Sequence, residues 1–334
     1  METVNAPRTV VNIIYNDHNI TTSLAPYLIS FEYTDFASDQ VDDISISIND
    51  PDGRWCNRDY PTASTRITAS IIDIGEASQS ELKCGSFIVD SPSYAAPGVM
   101  TIKATSASIV TSLRKQAEAK RWEHITLKQL AQQLAAKHGT TIIFESADTP
   151  QISKADQKDE SDLAFLLRVC KREGYALKTE SNRLVIVKRS EWDARTANLT
   201  LYRDGGIVSD WSFEEDRDAV YSSCIVRYKP PKAKKMLEAV YAPENAPENG
   251  QVLIVREHVG SQAEAERVAK ARYEAANRGR FKGNLICVGS TTLCSGMSIK
   301  LSGWGVYDGR YAIDEARHSV SPGYTTTLAV VKLL

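Results

Sequence analysis

The sequence lacks the features that mark membrane proteins and disulfide-rich secreted proteins. No run approaches the roughly 20 apolar residues that a helix needs to cross a bilayer, and the first residues hold no apolar stretch of the secretory type. The six cysteines form no C-x-x-C pair, which favours reduced thiols over a disulfide framework or a zinc site. We therefore expect a protein that is made in a cytoplasm and does not insert into a membrane.

Catalytic motifs are also missing. The five histidines show no HExxH or HxH spacing, and no GxGxxG, GxxxxGK[ST] or GxSxG motif is present. Adjacent carboxylates occur at Asp42–Asp43 and Glu214–Asp216, but neighbouring residues of a strand point to opposite faces. His318 stands where a related segment has Tyr94, which favours a packing role for this histidine. The sequence thus predicts no catalytic residue, metal ligand or cofactor, and it leaves the binding residues unassigned.

The charge is balanced overall but uneven along the chain. The formal net charge is −2, yet residues 1–100 carry 5 Lys/Arg against 14 Asp/Glu, so the rest of the chain is net basic. The basic residues are not interleaved with aromatic residues, which argues against sustained nucleic-acid binding. Two interpretations stay open: complementary faces that meet between subunits, or separate solvated surfaces.

The most informative pattern is an internal repeat. GSFIVDSPSYAAPGVMTIKA, at 85–104, resembles GRYAIDEARHSVSPGYTTTLA, at 309–329, when the second copy is given one extra residue. The matched positions are Gly85/Gly309, Phe87/Tyr311, Val89/Ile313, Asp90/Asp314, Pro97/Pro322, Gly98/Gly323, Thr101/Thr326 and Ala104/Ala329. Each copy predicts a strand, a Pro-Gly turn and a returning strand. The repeat indicates two similar β-units in one chain, although two hairpins can also look alike by chance.

The patterning predicts a mainly β protein with an α+β insert, in three domains. Residues 1–105 hold six β-rich runs, for example DDISISIND with its alternating isoleucines, and predict a barrel or sandwich. Residues 106–190 predict a small α+β domain with three helices: 106–120, a second capped by Thr126, and a third that starts near Ser161. Residues 191–334 predict a second barrel with one helix, at 261–279, capped by Ser261 with Glu264. The segments 145–160 and 229–250 predict irregular connections.

Three blocks resemble one family, in the family's order. KDESDLAFLLRVCKREG, at 158–174, is similar to the ESDLxFLxRLAxxxG signature of the phage late control gene D family, the baseplate hub proteins related to the hub part of VgrG. TLKQLAQQLAAKHG, at 126–139, is similar to the family's TLxxIxxxIAxxHG. YAIDEARHSVSPGYTTTL, at 311–328, is similar to its closing YxIxxVxHxxxxxGYxTxL. Val169-Cys170 departs from the usual Leu-Ala, a mild change for a buried position.

The resemblance implies a fold, an assembly and a set of partners. The two β-units would be tail-tube-like barrels, and a homotrimer would place six of them in a ring between the sixfold tail tube and the threefold central spike. The implied partners are the tail tube, spike, tape measure and baseplate wedge proteins, and DNA or cargo would only pass through the channel. The implied location is the baseplate of a phage tail or of a contractile injection particle, after synthesis in the bacterial cytoplasm.

Two other function classes remain as alternatives. A tail-associated peptidoglycan hydrolase would need convergent carboxylates in a cleft. A carbohydrate-binding baseplate module would need exposed aromatic residues on loops, for which Trp55, Trp211 and Trp304 are the candidates. The resemblance favours the structural hub, which is not an enzyme.

Overall fold

The computed structural model describes residues 8–75, 78–106, 113, 117–180, 183–218, 220–229 and 236–333. The strands of the first part of the chain are β1 Arg8–Tyr15, β2 His18–Asn19, β3 Leu28–Phe36, β4 Asp43–Asn49, β5 Arg66–Ile74, β6 Gln79–Ala95 and β7 Val99–Ser106. Those of the middle part are β8 Ala117–Thr126, β9 Thr141–Glu145, β10 Gln151–Ser161, β11 Tyr175–Glu180 and β12 Arg183–Lys188.

The last part of the chain returns to β structure. Its strands are β13 Leu199–Tyr202, β14 Val208–Glu215, β15 Tyr221–Tyr228, β16 Leu237–Tyr241, β17 Gln251–Val255, β18 Phe281–Val288, β19 Ser298–Ser302, β20 Gly309–Val320 and β21 Tyr324–Lys332. The helices of the described residues are α1 Thr21–Leu24, α2 Leu127–Lys137, α3 Asp162–Arg172, α4 Arg189–Asp193 and α5 Gln262–Arg278. The fold is thus mainly β with an α+β segment in the middle, as the sequence predicts.

The N-terminal half-sheet consists of β1 and β3 to β7. Its core side is set by simple alternation: Ile44, Ile46 and Ile48 of β4 are buried, while Ser45 and Ser47 lie on the other face. Side chains from both ends of the strand order, such as Ile13 of β1 and Phe31 of β3, enter the same apolar core. The half-sheet therefore curls around its core like a barrel.

The C-terminal half-sheet consists of β13, β14 and β18 to β21. It encloses its own apolar core, in which Leu285, Tyr311 and Leu328 are fully buried. Among the described residues, no backbone ladder joins its first and last strands, and the same holds for β1 and β3.

The two half-sheets have the same strand order. The N-terminal order is β1-β5-β6-β7-β4-β3, and the C-terminal order is β13-β19-β20-β21-β18-β14. In both, the strands run first-fourth-fifth-sixth-third-second in chain order. One difference is that β1 is antiparallel to β5 whereas β13 is parallel to β19. The half-sheets join through antiparallel pairing of β3 with β20, so one sheet passes through both.

The middle segment forms a separate α+β core. Helices α2 and α3 pack on the sheet β11-β12-β9 and beside the β8–β10 pair, around Leu130, Phe165 and Leu166. Thr126 caps α2 by accepting from the Gln129 N–H, and Ser161 caps α3 by accepting from the Ala164 N–H. Both helices begin where their sequence signals predict.

Helix α5 packs on a sheet of its own. Strands β16-β15-β17 lie between β14 and β18 in the chain, and Cys224 and Val226 of β15 contact Val268 and Ala269 of α5 in a small core. Ser261 caps α5, but the Glu264 carboxylate accepts from the Gly260 N–H instead of completing a reciprocal capping box. This layer is therefore distinct from the half-sheet that it interrupts.

Three local predictions are corrected. Residues 117–120, predicted helical, belong to strand β8, and 107–112 and 114–116 of that prediction lie outside the described residues. The segment 145–160 holds most of β10, which pairs with β8, and 229–250 holds β16, although 230–235 lie outside the described residues. In each case pairing with another strand, β8 with β10 and β16 with β15, overrides the local preference of the segment.

Candidate assembly interface

The first strands of the two repeated hairpins occupy equivalent places. Phe87 lies opposite Ile67 of β5, and Tyr311 lies opposite Ile299 of β19; both aromatic residues are fully buried. Two residues earlier, Gly85 and Gly309 share a positive φ, of 110° and 138°, which L side chains rarely adopt. The repeat is therefore a structural one.

A β-bulge sits at the same place in both hairpins. The register shifts between Val89 and Ser91 in β6 and between Ile313 and Glu315 in β20, so Asp90 and Asp314 are the extra residues. Both aspartates therefore lie within strands and not in the Pro-Gly turns. Asp314 receives a bidentate contact from Arg278, whereas Asp90 is exposed.

The returning strands correct the alignment of the repeat by one residue. Val89 pairs with Ala104, and Ile313 pairs with Val330, so Ala104 corresponds to Val330 and not to Ala329. Likewise Thr101 corresponds to Thr327. When the bulge and the turn match, an antiparallel hairpin becomes longer only if each of its two strands gains a residue. The sequence comparison had placed a single insertion in the first strand only.

Strand β14 is the counterpart of β3. Leu28 and Val208 each precede a bulge, opposite Ile48 of β4 and Cys287 of β18. Phe31 and Trp211 then face Ile46 and Leu285, and Tyr33 and Phe213 face Ile44 and Gly283. The shared aromatic-x-aromatic spacing was a sequence signal for this equivalence, and sequence reasoning missed it because the flanking residues differ.

The two counterparts differ in what covers their outer edges. The outer edge of β3 pairs with residues 315–320 of β20. Among the described residues, β14 pairs only with β18, and residues 91–95 of β6 pair only with β7. Trp211 is 36% exposed and Tyr94 is 46% exposed, while their counterparts Phe31 and His318 are fully buried.

His318 packs at the contact between β3 and β20, which joins the two half-sheets. Its ring stacks on Tyr33 of β3 with centroids 5.9 Å apart, and its Nδ1 lies 2.9 Å from the Tyr324 hydroxyl. Burial lowers the pKa of His318 to about 4, so the ring is neutral at pH 7. The residue packs at the joint between the half-sheets and does not face a cleft.

A buried polar cluster ties the half-sheets to the α+β segment. The Lys178 ammonium donates to Asp35 at 2.8 Å and to Ser295 at 2.9 Å. Burial opposes ionisation of Asp35, but Lys178 and the Ser295 N–H outweigh it, and the pKa of Asp35 is lowered. Burial, and then the charge of Asp35, raises the pKa of Asp42 to about 7.

A second cluster ties the α+β segment to helix α5. Arg172 of α3 donates to the Glu264 carboxylate at 2.8 Å and to the His258 carbonyl at 2.7 Å. Glu264 also accepts from the Ser153 hydroxyl at 2.5 Å. Burial opposes ionisation of Glu264, but these contacts outweigh it, so the pKa of Glu264 is lowered. Both clusters link separate cores of the chain.

The carboxylates that a hydrolase would need can be located in the fold. Among the described residues, no group of three or more His, Cys, Asp or Glu side chains could hold a metal ion. Two cavities, of about 110 and 420 Å³, are each lined by one carboxylate, Asp39 and Glu118. Glu215 forms ion pairs with Arg217 and Arg280, whereas Glu214 is exposed.

The three candidate tryptophans are buried or packed against neighbouring side chains. Trp55 and Trp304 are buried, and Trp211 packs edge-on against Trp304 at 6.0 Å. The guanidinium of Arg203 lies 5.1 Å from the Trp211 ring. No helix in the described ranges is long and apolar enough to span a bilayer.

Comparison with known proteins places these features in context. Residues 101–324 match the family described as phage tail baseplate hub (GPD). The chain is 26% identical to the probable baseplate hub protein of Escherichia phage 186, over 95% of this chain and 92% of that protein. It is 24% identical to the probable baseplate hub protein of Escherichia phage P2, over 95% of this chain and 91% of that protein.

Solved structures share the fold. The 43 kDa tail protein of prophage MuSo2 from Shewanella oneidensis aligns with a TM-score of 0.74 at 14% identity, over 97% of this chain and 98% of that one. A component of the type VI secretion system of E. coli aligns with a TM-score of 0.57 at 12% identity, over 92% and 73%.

Proposed function

Since the chain belongs to the phage tail baseplate hub family, we propose that three copies form a ring that joins the sixfold tail tube to the threefold central spike. The proposed building blocks are residues 1–105, 106–190 and 191–334. The protein acts as a structural hub and symmetry adaptor, and it carries no catalytic residue.

One observation carries this proposal: the same strand order occurs twice in one chain. Three chains then supply six similar half-sheets, which match a sixfold tube on one side. Because each chain still contributes only one copy of every other segment, the same ring matches a threefold spike on the other side. A closed ring also leaves no unpaired edge from which further copies could add.

The proposed partners follow from this place in the particle. Tail tube, central spike, tape measure and baseplate wedge proteins would contact the ring, and DNA or cargo would pass through its channel. The protein would be made in the bacterial cytoplasm and would end in the baseplate of a phage tail or related injection particle.

Native mass spectrometry across a concentration series tests the ring. Three copies of the 36.9 kDa chain would give a species of about 111 kDa that grows with concentration. A strictly monomeric mass at high micromolar concentration would contradict the proposal. In parallel, purified protein should release no dye from labelled peptidoglycan, and robust release would favour a hydrolase.

A further inference from the structure

We infer that strand β14 of one copy pairs antiparallel with residues 91–95 of strand β6 in the next copy, which deepens the proposed ring and rests on it. The occupant of each open edge is therefore a second copy of this chain. The inference uses the contact that the chain already makes with itself.

The internal contact provides the template. Within one chain, β3 pairs with the part of β20 that follows the bulge at Asp314. Strand β14 is the counterpart of β3, and residues 91–95 of β6 are the counterpart of the part of β20 that follows its bulge. Both counterparts lack a neighbour in the described part of the chain. Repeating the β3–β20 contact between copies pairs them with each other.

The template also sets the register. In the internal contact, Arg317 lies opposite Thr34 and His318 lies opposite Tyr33. Replacing each residue by its counterpart places Ser93 opposite Glu214 and Tyr94 opposite Phe213. The Tyr33–His318 ring stack would then recur as a Tyr94–Phe213 stack across the interface.

The backbone of β14 directs groups toward this neighbour that have no backbone partner within the described ranges. The Asp216 N–H donates to the Arg280 carbonyl on the β18 side. Because successive residues of a strand direct their N–H and C=O groups to opposite sides, Glu215 and Phe213 direct theirs to the open edge. The internal template agrees, since the Ala37 N–H of the β3 side donates to the Asp314 carbonyl at 2.9 Å.

Pro92 makes the inferred contact weaker than the internal one. It is the counterpart of Ala316, whose backbone faces β3, so the missing N–H of Pro92 lies on the open side. The inferred ladder loses one donor there, opposite Glu215. A proline at an open edge also limits pairing with unrelated strands. Because the inferred contact between β14 and β6 is weakened in this way, we expect it to form only at high protein concentration and between copies whose whole surfaces match.

Disulfide trapping tests the register directly. We pair Ser93→Cys with Glu214→Cys, because these exposed residues lie opposite each other and would bring Cβ atoms to about 5 Å. The expected result is an intermolecular disulfide that yields covalent dimers and trimers on non-reducing gels and disappears with reductant. Each single variant and the parent chain, with its six native cysteines, should stay monomeric on the same gels.

Two matched controls limit the interpretation. Thr34→Cys with Arg317→Cys probes the internal counterpart and should give an intramolecular disulfide, detected as loss of free thiol without a change of mass class. Ser93→Cys with Asp210→Cys moves one thiol four residues along β14, roughly 13 Å away and beyond disulfide reach. Cross-linking of this shifted pair as efficiently as the matched pair would overturn the register.

A second pair of variants tests the backbone contact. Tyr94→Pro removes an N–H that faces the same open side as the nitrogen of Pro92, whereas Tyr94→Ala keeps that N–H and removes only the ring. We expect the proline variant to shift the monomer–trimer midpoint to several-fold higher concentration than the alanine variant. Equal midpoints would contradict the inferred ladder.

The outcomes separate this inference from the proposed ring. Trimers in native mass spectra without the Ser93–Glu214 cross-link, in a protein whose internal control pair has closed, would refute the pairing and leave the ring intact. Monomers at every concentration without the cross-link would refute both.

Discussion

The two half-sheets are built alike, yet one edge is closed in one copy and open in the other. Residues 315–320 of β20 pair with β3, whereas the corresponding residues 91–95 of β6 have no strand on that side within the described part of the chain. The covering strand β3 lies between the two half-sheets in the first case, whereas its counterpart β14 lies at one end of the strand order. At equivalent positions of the two hairpins, His318 is buried beside β3, whereas Tyr94 is exposed.

A second difference lies where the chain enters each half-sheet. Strand β1 enters antiparallel to β5, but β13 enters parallel to β19 after the short helix α4. The C-terminal copy also accepts the β15–β17 layer and α5 between β14 and β18. The six-stranded arrangement thus tolerates a changed entry and a large insertion, because the shared alternation of buried side chains persists on the remaining strands.

The largest difference between the copies is expected at their aromatic edge residues. Phe31→Ala should lower the free energy of unfolding by about 3 to 5 kcal/mol, because it empties a fully buried site. Trp211→Ala should cost clearly less in the monomer, since that side chain is 36% exposed, and should weaken the trimer instead. Urea unfolding and concentration-dependent native mass spectra measure the two effects. Equal losses of monomer stability would break the comparison.

Acidification should distinguish His318 from its exposed counterpart. The folded-state pKa of His318 is lowered from 6.5 to about 4, so its stabilising contribution is complete above pH 6.5 and is lost as the pH falls towards 4. The loss is at most about 3 kcal/mol. In His318→Phe, the decline of unfolding free energy between pH 7 and pH 4 should therefore be shallower than in the parent.

Tyr94→Phe is the matched control for this pH series, and its slope should equal that of the parent. Asp42, whose pKa is raised to about 7, titrates in parent and variants alike, so the comparison of slopes removes most of its effect. An unchanged slope in His318→Phe would contradict a neutral, buried histidine at the joint.

The bulge aspartates should differ by a smaller amount. Asp314→Ala removes the partner of Arg278, whose guanidinium contacts it at 2.6 and 2.8 Å, and should cost about 2 kcal/mol of unfolding free energy. Asp90→Ala, at an exposed bulge, should stay within about 0.5 kcal/mol of the parent. Thermal or urea melts would show this, and a large cost at Asp90 would reveal an unrecognised contact.

The smallest difference between the copies is expected at the glycines that both hairpins share. Gly85→Ala and Gly309→Ala place a Cβ on backbones with φ of 110° and 138°, and each should cost about 1 to 2 kcal/mol of unfolding free energy. Near Gly309 the added Cβ meets only the flexible end of Lys332, at 3.0 Å. Closely matched melting temperatures would sharpen the equivalence of the hairpins, and a strong difference would weaken it.

The sequence predicts the repeated hairpin, the buried isoleucines of β4 and the capped helices α2, α3 and α5, because each depends on local periodicity or capping. It predicts neither β8 nor β10, whose polar segments become strands only by pairing with each other. It also does not reveal that β3 joins β20, a contact almost 300 residues apart along the chain. The open edges depend on that long-range topology, so they became visible only in the structure.

The central claim, that two equivalent half-sheets per chain build a six-part ring from three chains, is tested most directly by electron-microscopic class averages of the assembled protein viewed end-on. The account predicts six similar densities around a central opening, alternating in the mass attached to their outer side. Averages with three densities, or with six subunits each contributing one density, would contradict it.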